Sequence, residues 1–215
     1  MVGSNSTQSM AVFDAPRANL GNMPFGFAAP VKDGPDFLFD FCCAVMSFGK
    51  LNRFKAAGKE IPEDAFKKNE VQDEDALYTN ASAIENLALP FGGFKGGNIA
   101  LMVEMLSGLL SFGHFGTETE VVRKCPDGGR KLQGPSHFVM AIDPSKFGTE
   151  TDYSAHMKSY LAELKASHEE IAYAGERANA IKVERQRDGI PIPDEVRAEV
   201  DALAEAKGAT LDWVL

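Results

Sequence analysis

Leu89-Pro90-Phe91-Gly92-Gly93-Phe94-Lys95-Gly96-Gly97-Asn98 runs without a break into Ile99-Ala100-Leu101-Met102-Val103-Glu104-Met105-Leu106-Ser107-Gly108-Leu109-Leu110. The second of these stretches carries a single charge, Glu104. A segment this apolar, yet shorter than the roughly 20 residues that span a bilayer, predicts a buried helix. Asn98 is the expected N-cap, and the glycines before it free the backbone to turn its N–H groups toward an anion. The helix N-terminus adds a favourable field and Lys95 a full positive charge. Two readings stand here: a cradle for phosphate or carboxylate, or a tight loop that delivers a core helix and leaves Lys95 in solvent. Neither the P-loop pattern nor the spaced glycines of the dinucleotide fingerprint is present.

A chain of 215 residues has room for one sizeable core, or a core with a small second unit. Its 44% hydrophobic content is that of a globular protein. The 22 basic and 31 acidic residues give a formal net charge of -9, which argues against binding a nucleic-acid backbone but leaves room for one basic pocket. Cys42, Cys43 and Cys125 make no disulfide framework and suit a reducing compartment. No secretory leader pattern opens the chain and no apolar run reaches membrane length. A cytoplasmic protein with neither nucleic-acid nor membrane partners is the expectation.

Residues 1–10 are small and polar and are expected to fray. Asp14-Ala15-Pro16-Arg17-Ala18-Asn19 reads as a turn. Pro24-Phe25-Gly26-Phe27-Ala28-Ala29-Pro30 predicts a short strand bounded by prolines, and Phe37-Leu38-Phe39-Asp40 a second one. Residues 41–54 read as a helix, because Phe41, Val45, Phe48 and Leu51 recur at three or four positions. Residues 59–78 are polar and mostly acidic, expected as a solvated connection or a flap.

Beyond the apolar helix, residues 112–119 predict a glycine-broken turn and 124–130 a surface loop. Residues 138–142 predict a strand that Asp143-Pro144 ends. Residues 152–165 predict an amphipathic helix with Tyr153, Met157, Tyr160, Leu161 and Leu164 on its inward stripe. Tyr173-Ala174-Gly175-Glu176-Arg177 is a glycine turn, 183–189 is densely charged, and 190–193 is extended. A final helix over 195–207 would turn Val196, Val200 and Leu203 inward and end at Gly208. Interleaved strands and helices make an α/β class protein without the common dinucleotide fold.

Four histidines are candidates for chemistry: His114, His137, His156 and His168. None pairs at ligand spacing, so zinc sites of the common kinds are not expected. Ser136-His137 suggests a nucleophile and base, but neighbours in a strand point apart, and a structural role for His137 is the alternative. Cys42 and Cys43 read as small buried hydrophobes near a helix start. Asp40, between strand and helix, would cap the helix or accept hydrogen bonds from ribose hydroxyls.

Taken together, Leu20-Gly21-Asn22-Met23-Pro24-Phe25-Gly26-Phe27-Ala28-Ala29-Pro30, the segment from Phe39-Asp40 to Gly49-Lys50, and Pro90 to Gly97 with its helix resemble the malate/L-lactate dehydrogenase family. This is a group of NAD(P)-dependent 2-oxoacid and imino-acid reductases with a non-Rossmann fold. Gly134-Pro135-Ser136-His137-Phe138, Ala141-Ile142-Asp143 and Gly175-Glu176-Arg177 fall in the family's order as well.

The resemblance implies a mixed α/β fold, a mixed sheet packed by helices, with residues 1–168 forming most of the cofactor-binding domain and 169–215 a C-terminal return with a terminal helix. It implies NAD or NADP as cofactor, touching Phe41, Cys42, Cys43, Ala44, Val45, Met46 and Ser47, the pair Phe94 and Lys95, and the turn Gly175, Glu176 and Arg177. The implied substrate is a small 2-hydroxy or 2-oxo acid and the implied assembly a homodimer. Three departures stand out: Phe94 occupies the family's usual histidine position, Met23 a usual asparagine, and no histidine here matches the catalytic one, which the family carries in an N-terminal portion that this chain is expected to lack. The oxidoreductase therefore has a rival reading, a catalytically incomplete dinucleotide-binding or interaction module from the same family.

Overall fold

The computed structural model describes residues 1–70, 85–119, 134–148, 152–168 and 170–211. Contacts divide the chain into two units: Met1–Ala28 with Leu38–Gly148, and Ala29–Phe37 with Thr149–Leu215.

The first unit holds two sheets. The larger has the order β3-β2-β1-β6, made of β1 (Val2–Ser4), β2 (Phe25–Ala29), β3 (Phe37–Phe41) and β6 (His137–Val139). β1 pairs antiparallel with β2 on one side and with β6 on the other. The expectation of a frayed start is thus corrected: Val2-Gly3-Ser4 is an inner strand, and Asn5 and Met10 behind it are fully buried. Local composition misled because this strand is stabilised by lateral pairing to residues 22 to 137 positions away rather than by its own apolar content.

β2 and β3 form where the alternating phenylalanines predict strands. Phe39 and Phe41 stack at 5.4 Å between ring centroids, Phe25 meets Phe41 edge-on at 5.9 Å, and Phe41 meets Phe91 edge-on at 5.4 Å. Such offset and edge contacts add roughly 0.5–1.5 kcal/mol beyond area burial. The rings pack against a core of Met10, Leu20, Met23, Cys43, Leu51, Phe66, Ala100 and Val103.

The helix expected from Phe41 begins seven residues later, as α1 (Phe48–Ala56). Ser47 caps it by accepting from the Lys50 N–H, while Cys43 and Val45 donate backbone bonds to Asn22 and Leu89. Those long-range bonds hold 43–45 out of a helix, so the three-to-four spacing of Phe41 and Val45 is not helical periodicity. Within 59–70, the acidic connection also contains a strand, β4 (Phe66–Lys68), paired antiparallel with β5 (Asn86–Ala88). The rest of that expected connection, and the surface loop expected at 124–130, lie outside the described residues.

α2 (Phe94–Glu104) begins at Gly93 rather than at Asn98, whose side chain instead donates to the Phe94 carbonyl from inside the first turns. It continues as a π-helical turn, Met105–Leu109. Ala100, Val103, Glu104, Ser107 and Gly108 face inward, but Met102, Met105, Leu109 and Leu110 are exposed, so only one side of the apolar run is core.

In the second unit, α3 (Tyr153–Ala166) is capped by Asp152, which accepts from Ser154 N–H. Of its expected stripe only Leu161 is buried; Tyr153, Tyr160 and Leu164 are exposed. The charged segment at 183–189 belongs to a helix that periodicity missed, α4 (Glu176–Asp188). α5 (Asp194–Ala206) forms as expected and Gly208 follows it at φ +66°, yet Val196 and Leu203 are exposed rather than inward.

Candidate functional site

Two of the segments expected to meet a cofactor come together in the first unit. Val45 N–H donates to the Leu89 carbonyl, Phe91 N–H to the Cys43 carbonyl, and Ala44 bridges Pro90. This stitching lays residues 43–45 along the approach to α2. A cavity of about 750 Å³ opens there, walled by Val45, Pro90, Gly92, Gly93 and Phe94 on one side and by Phe13, Asp14, Asp64 and Lys67 on the other. That size and its mix of apolar walls with a few polar groups suit a small organic ligand.

The glycines before α2 are needed for the chain's path more than for an open cradle. Gly92 and Gly93 sit at φ +58° and +62°, in the region a Cβ disfavours. A Cβ on Gly96 would meet the Phe91 carbonyl oxygen at 2.2 Å, the same oxygen that accepts the Gly96 N–H. Gly93 N–H donates to Pro90 and Lys95 N–H to Gly92 at 3.4 Å. Much of the donor capacity imagined for an anion is therefore used within the turn. What remains toward solvent is the helix N-terminus and the exposed Lys95 side chain, which is not part of the cavity wall. Inside the cavity Lys67 donates to the Ala15 carbonyl, leaving Asp14 and Asp64 as acceptors.

The seven residues 41–47 divide by exposure. Cys43, Ala44 and Met46 are core side chains that can meet a ligand only through their backbone, while Val45 and Ser47 are exposed. The Cys43 thiol donates to the Met23 carbonyl, and burial pushes its pKa up to about 12, which removes it as a nucleophile. Phe41 and Cys42 turn instead to a second cavity of about 500 Å³ on the larger sheet, shared with Ser4, Asp40 and His137. Asp40 lies inside β3 and does not cap α1; Ser47 does. Ser136 donates its N–H to the Asn5 side chain, so Asn5 fixes the approach to β6 and His137 lines the cavity from the strand.

Gly175, Glu176 and Arg177 belong to the second unit. Gly175, at φ +106°, precedes α4, and Glu176 accepts from Lys165 at 2.6 Å and from the Tyr173 N–H. Arg177 is exposed. Among the described residues no three His, Cys, Asp or Glu stand close enough to hold a metal ion. The sequence reading did not anticipate Phe13, Asp14, Asp64 or Lys67. The first two have left-handed backbones, φ +54° and +56°, a region that Asp tolerates but that a phenylalanine does not announce.

An α/β protein whose sheet pairs antiparallel around β1, with a glycine turn leading into its core helix, stands apart from the parallel dinucleotide folds. The family model described as malate/L-lactate dehydrogenase matches residues 1–201, and the chain belongs to that family. It is 31% identical to a malate dehydrogenase of Pyrococcus horikoshii, over 97% of this chain and 59% of the relative. It is 29% identical to a (2R)-3-sulfolactate dehydrogenase (NADP(+)) of Chromohalobacter salexigens, over 96% of this chain and 59% of the relative. The fold matches a crystal structure of malate dehydrogenase from Entamoeba histolytica with a TM-score of 0.79 at 19% identity, covering 99% of this chain and 62% of that one. The chain thus spans about three-fifths of the length of these relatives. The family links it to NAD(P)-dependent oxidoreductases of 2-hydroxy and 2-oxo acids. Among the described residues no helix is long and apolar enough to cross a membrane.

Proposed function

We infer that this chain is a nicotinamide-dinucleotide-binding module of its family, self-associating as a homodimer in the cytoplasm, and that alone it is catalytically incomplete. The observation that carries the reading is the cavity at the start of α2, where Val45 and Phe94 share one wall. Val45, Pro90, Phe13 and Phe94 offer a base or nicotinamide ring an apolar slot. Asp14 and Asp64 in the cavity wall would accept hydrogen bonds from ribose hydroxyls, and Lys95 at the adjoining helix start would meet the pyrophosphate. NAD or NADP, when bound, supplies the hydride. The residues of this chain bind and orient it. Asp40, Phe41 and Cys42 would bear on a ligand at the sheet cavity, and Gly175, Glu176 and Arg177 are carried into this reading by the resemblance alone.

Reduction of a 2-oxo acid needs a positioned proton donor as well as hydride. His137 lines the sheet cavity, where among the described residues no side chain hydrogen-bonds its ring, and the resemblance sets none of this chain's histidines at the family's catalytic position. Titration with NADH and with NADPH, followed by a turnover screen over malate, lactate and 2-oxo acids, tests the proposal. Saturable binding without turnover is the expected result. Turnover by the purified chain would instead establish the full oxidoreductase, the rival reading. Lys95→Ala is expected to weaken binding about 10- to 150-fold, the range of one charge-assisted phosphate contact of about 1.5–3 kcal/mol. Unchanged affinity would remove Lys95 from the site.

A further inference from the structure

We propose that Asp14 and Asp64, in the wall of the cavity at the start of α2, make this chain select NAD over NADP. The inference rests on the dinucleotide reading above and deepens it. NAD and NADP differ only on the adenosine ribose, which carries a 2′-hydroxyl in one and a 2′-phosphate in the other. A carboxylate accepts a hydrogen bond from the hydroxyl and repels the phosphate.

The walls of the two cavities decide which half of the dinucleotide meets these carboxylates. Phe41 and Cys42 line the sheet cavity and Val45 the helix cavity. From Cys42 to Val45 the backbone reaches at most about 11 Å, a span that two riboses and a pyrophosphate bridge. One dinucleotide along 42–45 therefore places one half in each cavity. The sheet cavity holds Ser4, Cys42 and His137, groups able to carry a proton, beside Asp40. Among the described residues the helix cavity has none of these types. Its charged side chains are Asp14, Asp64 and Lys67, and Lys67 is engaged by the Ala15 carbonyl. The reactive nicotinamide belongs at the first and the unreactive adenosine at the second. Phe94 and Phe13, 65% and 52% exposed, offer adenine aromatic faces there. Neighbours in an extended segment point apart, but the consecutive left-handed backbones of Phe13 and Asp14 bring both side chains to this one wall.

Fluorescence titration of the full chain with NADH and with NADPH compares the wild type with Asp14→Asn/Asp64→Asn. Asn keeps an acceptor and tolerates the left-handed backbone at position 14; thermal melts check folding. Glu195→Gln/Glu199→Gln, on exposed positions of α5, removes the same net charge outside the first unit. NADPH is expected to bind the wild type about 100-fold more weakly than NADH. The gap is expected to narrow to within about 5-fold in the Asp14/Asp64 variant, through tighter NADPH binding, and to persist in the α5 variant. 5′-AMP is expected to displace NADH at concentrations where adenosine 2′,5′-bisphosphate does not. Wild-type affinities within about 10-fold of each other, or a preference for NADPH, would overturn the inference while the dinucleotide reading stands. So would a gap that the Asp14/Asp64 variant leaves intact or the α5 variant closes equally, or NADH that 5′-AMP fails to displace. Binding of neither cofactor would overturn the dinucleotide reading itself.

Discussion

Glu104 is the most consequential titratable group in the first unit. It is 5% exposed on the inward side of α2, where Oε1 accepts the Gly116 N–H at 2.8 Å and Oε2 has no hydrogen-bond partner among the described residues. The Asn5 amide lies near enough to favour the charged carboxylate, but it donates to the His114 carbonyl. Desolvation outweighs these two effects and raises the pKa above its ordinary 4.5. A raised carboxyl pKa means that folding favours the protonated form. Its stabilising contribution is complete below pH 4.5 and is lost as pH rises through the folded-state value. Glu104→Gln keeps an acceptor for Gly116 and removes the ionisation. An unsatisfied buried polar group costs about 1–3 kcal/mol and more when it is charged; Gln leaves a neutral amide where ionised Glu leaves a charge, so Gln is expected to gain on the wild type between pH 4 and pH 8 by on the order of 1 kcal/mol. In a chain of this size that is roughly 2–4 °C in Tm per kcal/mol. Urea titrations of both proteins from pH 4 to 8 measure the difference directly. Parallel curves across that range would show that Glu104 is solvated or paired, and the reasoning would fail.

Two further outcomes test the site's framework. Gly96→Ala is expected to destabilise by about 2 kcal/mol or more, because its Cβ would collide with the Phe91 carbonyl, and to lower dinucleotide affinity by moving the start of α2; thermal melts and the NADH titration report both. Native alkylation mapped by mass spectrometry is expected to leave Cys43 unmodified at pH 8 until denaturant is added, given its full burial and its thiol pKa near 12.

The parts of the fold that were legible in the sequence are those whose cause is local. Alternating phenylalanines announce β2, where prolines bound them, and β3, and Gly208 marks the end of α5. The elements that were missed have distant causes. β1 and β4 are three-residue strands whose ladders are paid for by partners far along the chain. α4 is the instructive exception. It has no buried residue, so periodicity carries no signal, yet Glu, Arg, Ala, Lys and Gln between Gly175 and Gly189 are strong helix formers, and propensity was the clue to use.

The candidate site shows the same division. Glycine content correctly marked the start of α2 as a place of special backbone geometry, but composition could not distinguish amides aimed at a ligand from amides consumed by the turn. Gly96 decides that question through one carbonyl, Phe91, whose closeness depends on where Cys43 and Val45 are anchored. The cavity exists because three separate segments, 11–14, 64–67 and 89–94, converge beside Val45. Convergence of that kind is set by sheet pairing: Lys67 reaches its position because β4 pairs with β5, and β5 leads directly into Leu89 and Pro90. β4 lies in the stretch whose composition reads as an acidic connection, and the sheet it forms with β5 is what gives the glycine stretch a pocket to open into.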